Sequence, residues 1–220
     1  MRHGKRSNRD KNGWQEKMQY INEYLQDVIE ITKRIDQSEI DKMVNKLVDV
    51  RKDGGRIFFI GVGGGAGNAS HAVNDFRKIA DIESYAPTDN VSELTARIND
   101  EGWETCYAEW LRGSRLCSDD AIFVFSVGGG DKEKNISVNL IRALEFGKEA
   151  GAKILGIIGR DGGFTAQIAD ACVIVPTVRT NTITTHTESF QVVLWHLLVS
   201  HPKLMKASMK WESIDKENQR

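Results

Sequence analysis

The chain is poor in cysteine and proline, and it has no long apolar run. Its 220 residues include three cysteines and three prolines. Cys106, Cys117 and Cys172 are odd in number and lack metal-type spacing, so we expect reduced thiols rather than a disulfide framework. No apolar stretch approaches the roughly 20 residues of a membrane span, and the start has no apolar signal-peptide region. The sequence therefore predicts a cytoplasmic protein without a membrane partner.

The chain also lacks an excess of charge of either sign. Thirty Lys and Arg residues stand against 31 Asp and Glu residues, so no overall field indicates a nucleic acid as a partner. Residues 1–13 are locally basic, with five Lys or Arg residues and one Asp. A nucleic-acid-binding arm has this composition, but a disordered tail fits it better. We expect residues 1–13 to be a disordered basic tail.

The chain does contain short apolar runs that alternate with segments in which apolar residues recur at helical spacing and form a stripe on one helix face. One helical stripe begins at Trp14, and a second follows Ser38, which has the capping-box-like partner Asp41 three residues later. Strands are expected near 56–60, 83–87, 122–127, 153–158 and 172–175. Further helices are expected near 67–79, 91–98, 103–113, 135–150, 164–169 and 187–200. The first helix precedes any strand, so we expect it to cover a neighbouring subunit or the sheet face.

This alternation predicts an α/β fold. The runs 122–127 and 154–158 are apolar on both faces, which is typical of buried parallel strands. The pattern predicts a three-layer sandwich with a five-stranded parallel sheet and N-terminal helices before the first strand. We expect one domain. It spans 14–202, with N-terminal helices over 14–55 and a sheet core over 56–202, and a C-terminal tail over 203–220 follows it.

Two glycine-rich loops each follow a predicted strand. They read Gly61-Val62-Gly63-Gly64-Gly65 and Ser126-Val127-Gly128-Gly129-Gly130. A strand that ends in bare glycines exposes backbone N–H groups, which lets a phosphate or a polyhydroxyl approach the main chain. Ligands of an open parallel sheet bind at the carboxyl ends of the strands, where the winding reverses. The two loops therefore predict a phosphosugar site between them.

The first loop also permits another interpretation. Residues 61–66 satisfy the G-x-G-x-x-A form of a dinucleotide fingerprint. That fingerprint expects an acidic residue about 20 positions later, at the end of the second strand. Asp81 and Glu83 come at or before the start of that strand, and Asp89 comes late. A nicotinamide enzyme is therefore the weaker interpretation.

Two imidazole–carboxylate pairs indicate chemistry. His71 and Asp75 are four residues apart and share a helix face. Glu188 and His196 are separated by about 12 Å of helix axis, so the two side chains can act together only through a metal or a substrate that lies between them. Such ligands suit zinc or a similar divalent ion, and His186 is a rival ligand. Aldose–ketose isomerisation fits, because it needs a base, for which Asp75 or Glu188 is available, and an oxyanion stabiliser such as a cation.

On these residues the chain resembles the sugar isomerase (SIS) domain family, and within it the isomerases of sedoheptulose 7-phosphate. The resemblance covers roughly 14–202. It rests on the two glycine loops, His71 and Asp75, the segments 99–103 and 159–163, and the helix from Glu188 to His196. It implies a flavodoxin-like fold, a homotetramer with active sites between subunits, and a small sugar phosphate as substrate. The implied reaction converts sedoheptulose 7-phosphate to glycero-manno-heptose 7-phosphate through an enediol.

The resemblance also implies residue roles. Substrate contacts are implied at Val62, Gly63, Gly64, Asp75, Asn99, Asp100, Ser126, Val127, Gly128, Glu188 and a following serine. One zinc ion or another divalent metal per subunit is implied at His71, Asp75, Glu188 and His196. Asp75 and His196 match the two proton-transfer groups.

The chain departs from the family pattern in its polar side chains. Asp75 replaces the usual Glu and is one methylene shorter, which matters for the reach of a base. Glu188 replaces Gln, and the added charge favours a divalent metal. Val62 replaces Asn, which removes a polar contact to sugar hydroxyls.

The phosphate loop departs furthest. Residues 126–131 stand where the family has the motif Ser-x-Ser-Gly-x-Ser/Thr. They end in Asp131 instead of a hydroxyl residue, and this carboxylate would repel a phosphate. A short insertion instead brings Ser137 to the final hydroxyl position, where the start of a helix supports an anion. We prefer the alignment on Ser137.

Two function classes follow from these residues. SIS domains also serve in regulators that bind a sugar phosphate or a protein without catalysis, and the altered base and phosphate loop fit such a regulator. The retained His71, His196 and acids favour an isomerase, because a sensor needs no proton-transfer groups. We therefore predict an isomerase.

Overall fold

A computed structural model describes the backbone of residues 8–217 and the side chains of residues 17–214. Within this range the helices are α1 (Asn8–Arg34), α2 (Gln37–Lys52), α3 (Gly64–Lys78), α4 (Val91–Glu101), α5 (Cys106–Gly113), α6 (Val138–Glu149), α7 (Gly163–Ile168), α8 (Ile183–Ser200) and α9 (Lys210–Glu217). The strands are β1 (Ile57–Gly61), β2 (Ser84–Tyr85), β3 (Ala121–Ser126), β4 (Lys153–Ile158) and β5 (Ala171–Ile174).

The five strands form one parallel sheet in the order β2-β1-β3-β4-β5. The chain moves outward to β2 after β1 and crosses to the other side for β3, so the winding reverses between β1 and β3. Ligands of such a sheet bind beyond the carboxyl ends of the two strands at this switch point. The loops after β1 and β3 are the two glycine-rich loops, so the fold places them as predicted.

Helices cover both faces of the sheet. Strand side chains alternate between two apolar cores: Phe59 and Phe123 belong to one core, and Phe58 and Ile122 to the other. Because both faces are buried, every residue of β1 is buried, which explains its unbroken apolar run. The predicted three-layer α/β fold is confirmed. Within residues 8–217, none of the helices combines the length and the hydropathy that a bilayer span requires.

Both ends of the chain differ from the expected tails. Helix α1 begins at Asn8, so residues 8–13 are helical instead of disordered, and residues 1–7 lie outside the described part. Lys and Arg propagate a helix nearly as well as Ala does, so a basic composition does not prevent one. In the segment 203–220, Leu204 is fully buried against the core and α9 follows it.

Helix α2 starts from a different cap than the sequence predicts. Asp36, not Ser38, is the N-cap residue. Its Oδ1 accepts hydrogen bonds from the backbone N of Ser38 at 2.8 Å and from Ser38 Oγ at 2.6 Å. The carboxylate of Asp caps a free amide of the first turn as well as the hydroxyl of Ser does, and Asp36 lies two residues before Ser38.

Other boundaries also shift by a few residues, and three of these shifts have a local cause. Strand β2 has two residues instead of five, because Pro87 opens a 3-10 turn and cannot donate to a strand neighbour. Helix α6 begins at Val138 rather than near 135, because an antiparallel bridge between Asp131 and Ile136 closes a loop before it. Helix α8 begins at Ile183 rather than 187, since its first turn packs the buried His186.

Candidate active site

A cavity of about 830 Å³ lies at the switch point between β1 and β3. The loops after β1, β3 and β4 form its walls together with one face of α8. Val62, Ser126, Ser137, Arg160 and Glu188 line it. This volume is in the usual range of small-molecule sites.

The loop after β1 brings backbone close to α8. Gly63, the N-cap residue of helix α3, has a φ of 59°, which favours glycine. Gly64 faces the carboxylate of Glu188, and a Cβ on Gly64 would collide with that carboxylate. The carboxylate therefore lies at the N-terminus of α3, where the helix dipole favours a negative charge.

The loop after β3 offers hydroxyl and amide donors to the cavity. Ser126 Oγ accepts a hydrogen bond from the backbone N of Gly129 at 3.0 Å, so its own O–H is left to donate elsewhere. Ser137, with a φ of 54°, immediately precedes α6 and also lines the cavity. Ser126, Gly128 and Ser137 thus line the same cavity.

The loop of residues 131–136 satisfies the Asp131 carboxylate internally. Asp131 accepts hydrogen bonds from the backbone N of Glu133 and of Lys134, and Lys134 Nζ lies 2.7 Å from its Oδ2. The hydrogen bond from Lys134 is the largest cause of the lowered pKa of Asp131. The loop closes through a bridge between Asp131 and Ile136, and both the loop and Ser137 line the cavity. The alignment on Ser137 stays a prediction.

A cluster of imidazoles surrounds one carboxylate on the neighbouring face of α3 and α8. Oδ2 of Asp75 lies 3.2 Å from His196 Nε2 and 3.4 Å from His71 Nε2. The Asp75 side chain is 10% exposed, whereas those of His71 and His196 are 54% and 45% exposed. One donor atom from each residue lies within 4.8 Å of the others. Such a set of two imidazoles and a carboxylate can bind a divalent cation or move protons.

Trp195 is a member of this site that the sequence did not predict. It is fully buried and packs on Phe125. Its Nε1–H also donates a hydrogen bond to Asp75 Oδ2 at 3.1 Å. Asn74 Nδ2 donates to the other oxygen, Oδ1, at 3.0 Å. The short Asp side chain is thus held in place by two N–H donors.

Comparison with known proteins decides the family. The SIS domain family matches residues 19–159. A phosphoheptose isomerase of Aneurinibacillus thermoaerophilus is 30% identical over 189 residues, which cover 81% of this chain and 90% of the relative. The chain belongs to the SIS domain family of phosphoheptose isomerases. This membership confirms the resemblance that the sequence shows.

Two further relatives agree with this membership. The phosphoheptose isomerase of Aquifex aeolicus is 32% identical over 152 residues, which cover 67% of this chain and 74% of the relative. The solved structure of the phosphoheptose isomerase of Neisseria gonorrhoeae matches this chain with a TM-score of 0.71 and 21% identity. The match covers 83% of this chain and 97% of that chain. The structural likeness shows a shared fold across nearly the whole of that chain.

In this member of the SIS family, Glu188 is separated from the imidazole cluster. Among the described residues the cluster comprises His71, Asp75 and His196, without Glu188. The two helical turns between Glu188 and His196 keep the Glu188 carboxylate beside Gly64, on the cavity wall. As a metal ligand Glu188 therefore stays a prediction, while its position on the cavity fits a contact to substrate.

The structure places Asn99 and Asp100 away from this cavity wall. Both are exposed at the end of α4, where Asn99 Nδ2 donates to Asp100 Oδ1 at 2.7 Å. Neither is among the residues that line the cavity of the SIS domain. A substrate contact from Asn99 and Asp100 therefore stays a prediction.

His186, the rival ligand, has a structural environment. It is buried, its Nε2 lies 3.3 Å from Asp27 Oδ2, and its ring lies 4.2 Å from that of Tyr24. Asp27 also accepts a hydrogen bond from Arg179 Nε at 2.7 Å. These contacts attach α1 to the start of α8 and leave His186 outside the cluster.

The three cysteines are not part of the candidate active site. All three are free thiols. Burial raises the pKa of Cys106 to about 11 and that of Cys172 to about 12. A nucleophilic cysteine needs a lowered pKa, so neither of these two is activated for catalysis.

Proposed function

We propose that the protein is an aldose–ketose isomerase that interconverts sedoheptulose 7-phosphate and glycero-manno-heptose 7-phosphate. The observation that carries this proposal is the cluster of His71, Asp75 and His196, which lies about two turns along α8 from a cavity that is lined by phosphate-type glycine loops. A sugar phosphate needs both parts, since one end is an anion and the other undergoes proton transfer. The family's phosphoheptose isomerases support this substrate class.

In the proposed orientation the phosphate lies at Ser126, Gly128 and Ser137, and the carbonyl end lies toward Asp75 and His196. Helix α8 connects the two ends, with Glu188 on the cavity wall and His196 about 12 Å farther along the helix axis. Glu188 and the amides of the first glycine loop would bind the intervening sugar hydroxyls. An extended heptose phosphate has two chemically distinct ends that this separation accommodates.

The proposed chemistry uses two groups of this chain. The carboxylate of Asp75 accepts the proton from C1 of the ketose, which forms the enediol, and returns it to C2. His196 carries the second proton, from the C1 hydroxyl to the oxygen on C2. The sum of both transfers turns the ketose into the aldose without net loss of protons or electrons. Trp195 and Asn74 hold the carboxylate during these steps.

The same cluster fits a divalent metal, which we propose is zinc. Two imidazole nitrogens and a carboxylate oxygen are zinc ligands, and three protein ligands with an open fourth position are typical of catalytic zinc sites. When bound, zinc would polarise the sugar carbonyl and favour the enediolate charge. The Trp195 N–H would then orient Asp75 as a ligand, as outer hydrogen-bond partners do in metal sites.

We propose that the chain forms the homotetramer expected for its family. Helix α1 carries the apolar residues Met18, Ile21, Leu25 and Ile29, which are 46–57% exposed and recur at helical spacing. Helix α8 also exposes Val193. Such a stripe is typical of a helix that packs on another copy, and a neighbouring copy is the available source of an Asn99 or Asp100 contact.

Replacing Trp195 by phenylalanine is expected to lower kcat about 10-fold with little change in KM. The ring volume is largely kept, but Asp75 loses an N–H donor, which is worth about 1.4 kcal/mol. Steady-state kinetics of both parameters measure this. Trp110→Phe is the control, because Trp110 is a buried indole of the opposite core. An unchanged kcat in Trp195→Phe would show that the indole only fills space.

A panel of ketose and aldose phosphates, followed by NMR for isomer formation, tests the proposed function. We expect turnover of sedoheptulose 7-phosphate, and slower or absent turnover of the five- and six-carbon ketose phosphates. Binding of these compounds without any conversion would instead identify a sugar-phosphate sensor. That outcome would reject the isomerase.

A further inference from the structure

Arg160 has an unusual position at the mouth of the cavity. It lies in the loop after β4, which reads Gly159-Arg160-Asp161-Gly162-Gly163. The backbone N of Gly162 donates to Gly159 O at 3.0 Å, so Arg160 and Asp161 are the central residues of a tight turn. Arg160 is exposed and lines the cavity, and its Cδ lies 3.8 Å from where a Cβ on Gly128 would be. The side chain thus extends along the second glycine-rich loop.

The backbone of Arg160 is strained. Its φ is 53°, a value that glycine adopts freely and that other residues adopt at a steric cost. Its loop already has glycine at three of five positions, so a glycine at 160 would be locally favourable. A strained residue on a cavity wall points to a functional side chain.

Among the cationic side chains that line the cavity, Arg160 is the one without an ion-pair partner in the described part of the chain. Lys132 Nζ lies 2.6 Å from Glu145 Oε1, and Lys134 Nζ lies 2.7 Å from Asp131 Oδ2. In the part of the chain that the structure describes, no carboxylate lies within ion-pair distance of Arg160. The adjacent Asp161 is engaged differently, since its Oδ1 accepts a hydrogen bond from the backbone N of Gly163 at 3.2 Å.

Arg160 and Lys134 lie on the same side of the cavity. The pKa of Lys134 is raised by its hydrogen bond to Asp131, and the charge of Arg160 opposes this rise. An anion between these side chains would relieve their repulsion. Serines 126 and 137 supply neutral donors at this end but no positive charge, so a phosphate dianion bound there needs a cation.

We propose that Arg160 binds the phosphate group of the substrate and determines the preference for phosphorylated sugars. This rests on the proposed function and assigns a residue to its anionic end. The guanidinium is suited to the task because it donates two parallel hydrogen bonds to phosphate oxygens. The second glycine loop lacks side chains at 128–130, so it leaves the guanidinium free access to that group.

The test compares Arg160→Gly and Arg160→Lys with the wild type. Glycine relieves the backbone strain and removes the cation, so the protein should fold while KM for sedoheptulose 7-phosphate rises about 10- to 100-fold. Lysine keeps the charge but not the paired donors, so its effect should be smaller. Calorimetry with inorganic phosphate should show the same order of affinity: wild type, then Arg160→Lys, then Arg160→Gly.

Arg115→Gly is the matched control. Arg115 also has a left-handed φ, of 55°, and does not line the cavity. Its replacement removes the same charge and the same strain, and both KM and phosphate affinity should stay within twofold of the wild type. The proposal is overturned if Arg160→Gly binds inorganic phosphate like Arg115→Gly, or if the wild type does not bind phosphate. Phosphate binding that depends on Arg160 without any sugar turnover would reject the isomerase and leave the Arg160 site standing.

Discussion

His196→Ala is expected to reduce turnover of sedoheptulose 7-phosphate by at least about 10³-fold. General acid–base groups typically contribute 10²- to 10⁴-fold, and this side chain also belongs to the proposed metal-binding set. Its Nε2 lies 3.2 Å from Asp75 Oδ2, so its loss removes one proton carrier and one neighbour of the base. The measurement is kcat by NMR or by a coupled assay for the aldose.

The fold should survive this substitution. The His196 side chain is 45% exposed, so alanine opens no cavity in the core. We expect an unchanged melting temperature and an unchanged particle mass by light scattering. His201→Ala is the matched control, because it removes an imidazole from the end of the same helix, outside the cluster. If His196→Ala retained more than a tenth of the wild-type turnover, its role as a proton carrier would be refuted.

His71→Ala is expected to abolish stoichiometric zinc binding, whereas Glu188→Gln is expected to keep it. His71 contributes a donor atom to the cluster, and Glu188 lies beside Gly64 instead. Loss of an outer partner costs 10- to 100-fold in metal affinity, so loss of a ligand should cost more than about 100-fold. Protein purified without a histidine tag and supplied with zinc should contain about one zinc per chain.

This comparison separates two ligand sets. Retention of zinc by Glu188→Gln and its loss from His71→Ala support three protein ligands. Loss of zinc from both variants would restore Glu188 as the fourth ligand and would mean that α8 moves on binding. A wild type without stoichiometric zinc after supplementation would reject the metal and leave the acid–base chemistry of Asp75 and His196. His71 is 54% exposed, so metal loss in its variant would not reflect unfolding.

Much of the fold follows from short-range patterns. Buried parallel strands are continuous apolar runs, and the glycines at their ends predicted which loops would meet at the switch point. His71 and Asp75 share a helix face because they are four residues apart, and this local relation is visible in the sequence. Helix ends were less accurate, because Asp36 and Ser38 both cap well and only the folded backbone decides between them.

The remaining features of the site depend on long-range packing. The indole of Trp195 appears as core in the sequence, and its hydrogen bond to Asp75 depends on how α8 packs on α3. Arg160 sits in an ordinary glycine-rich turn by sequence, whereas its positive φ and lack of a carboxylate partner among the described residues are properties of the folded chain. The sequence groups Glu188 with His196 on α8, whereas the position of the Glu188 carboxylate beside Gly64 depends on how α8 packs on the first glycine loop.

Proton transfer at the cluster can be tested directly by incubating the wild-type protein with sedoheptulose 7-phosphate in D₂O. Because His71 and His196 beside Asp75 are exposed to solvent, a proton held at this cluster should exchange before it returns to the sugar. NMR should show the aldose product with deuterium at C2. Absence of the aldose, or its formation with only hydrogen at C2, would contradict the account.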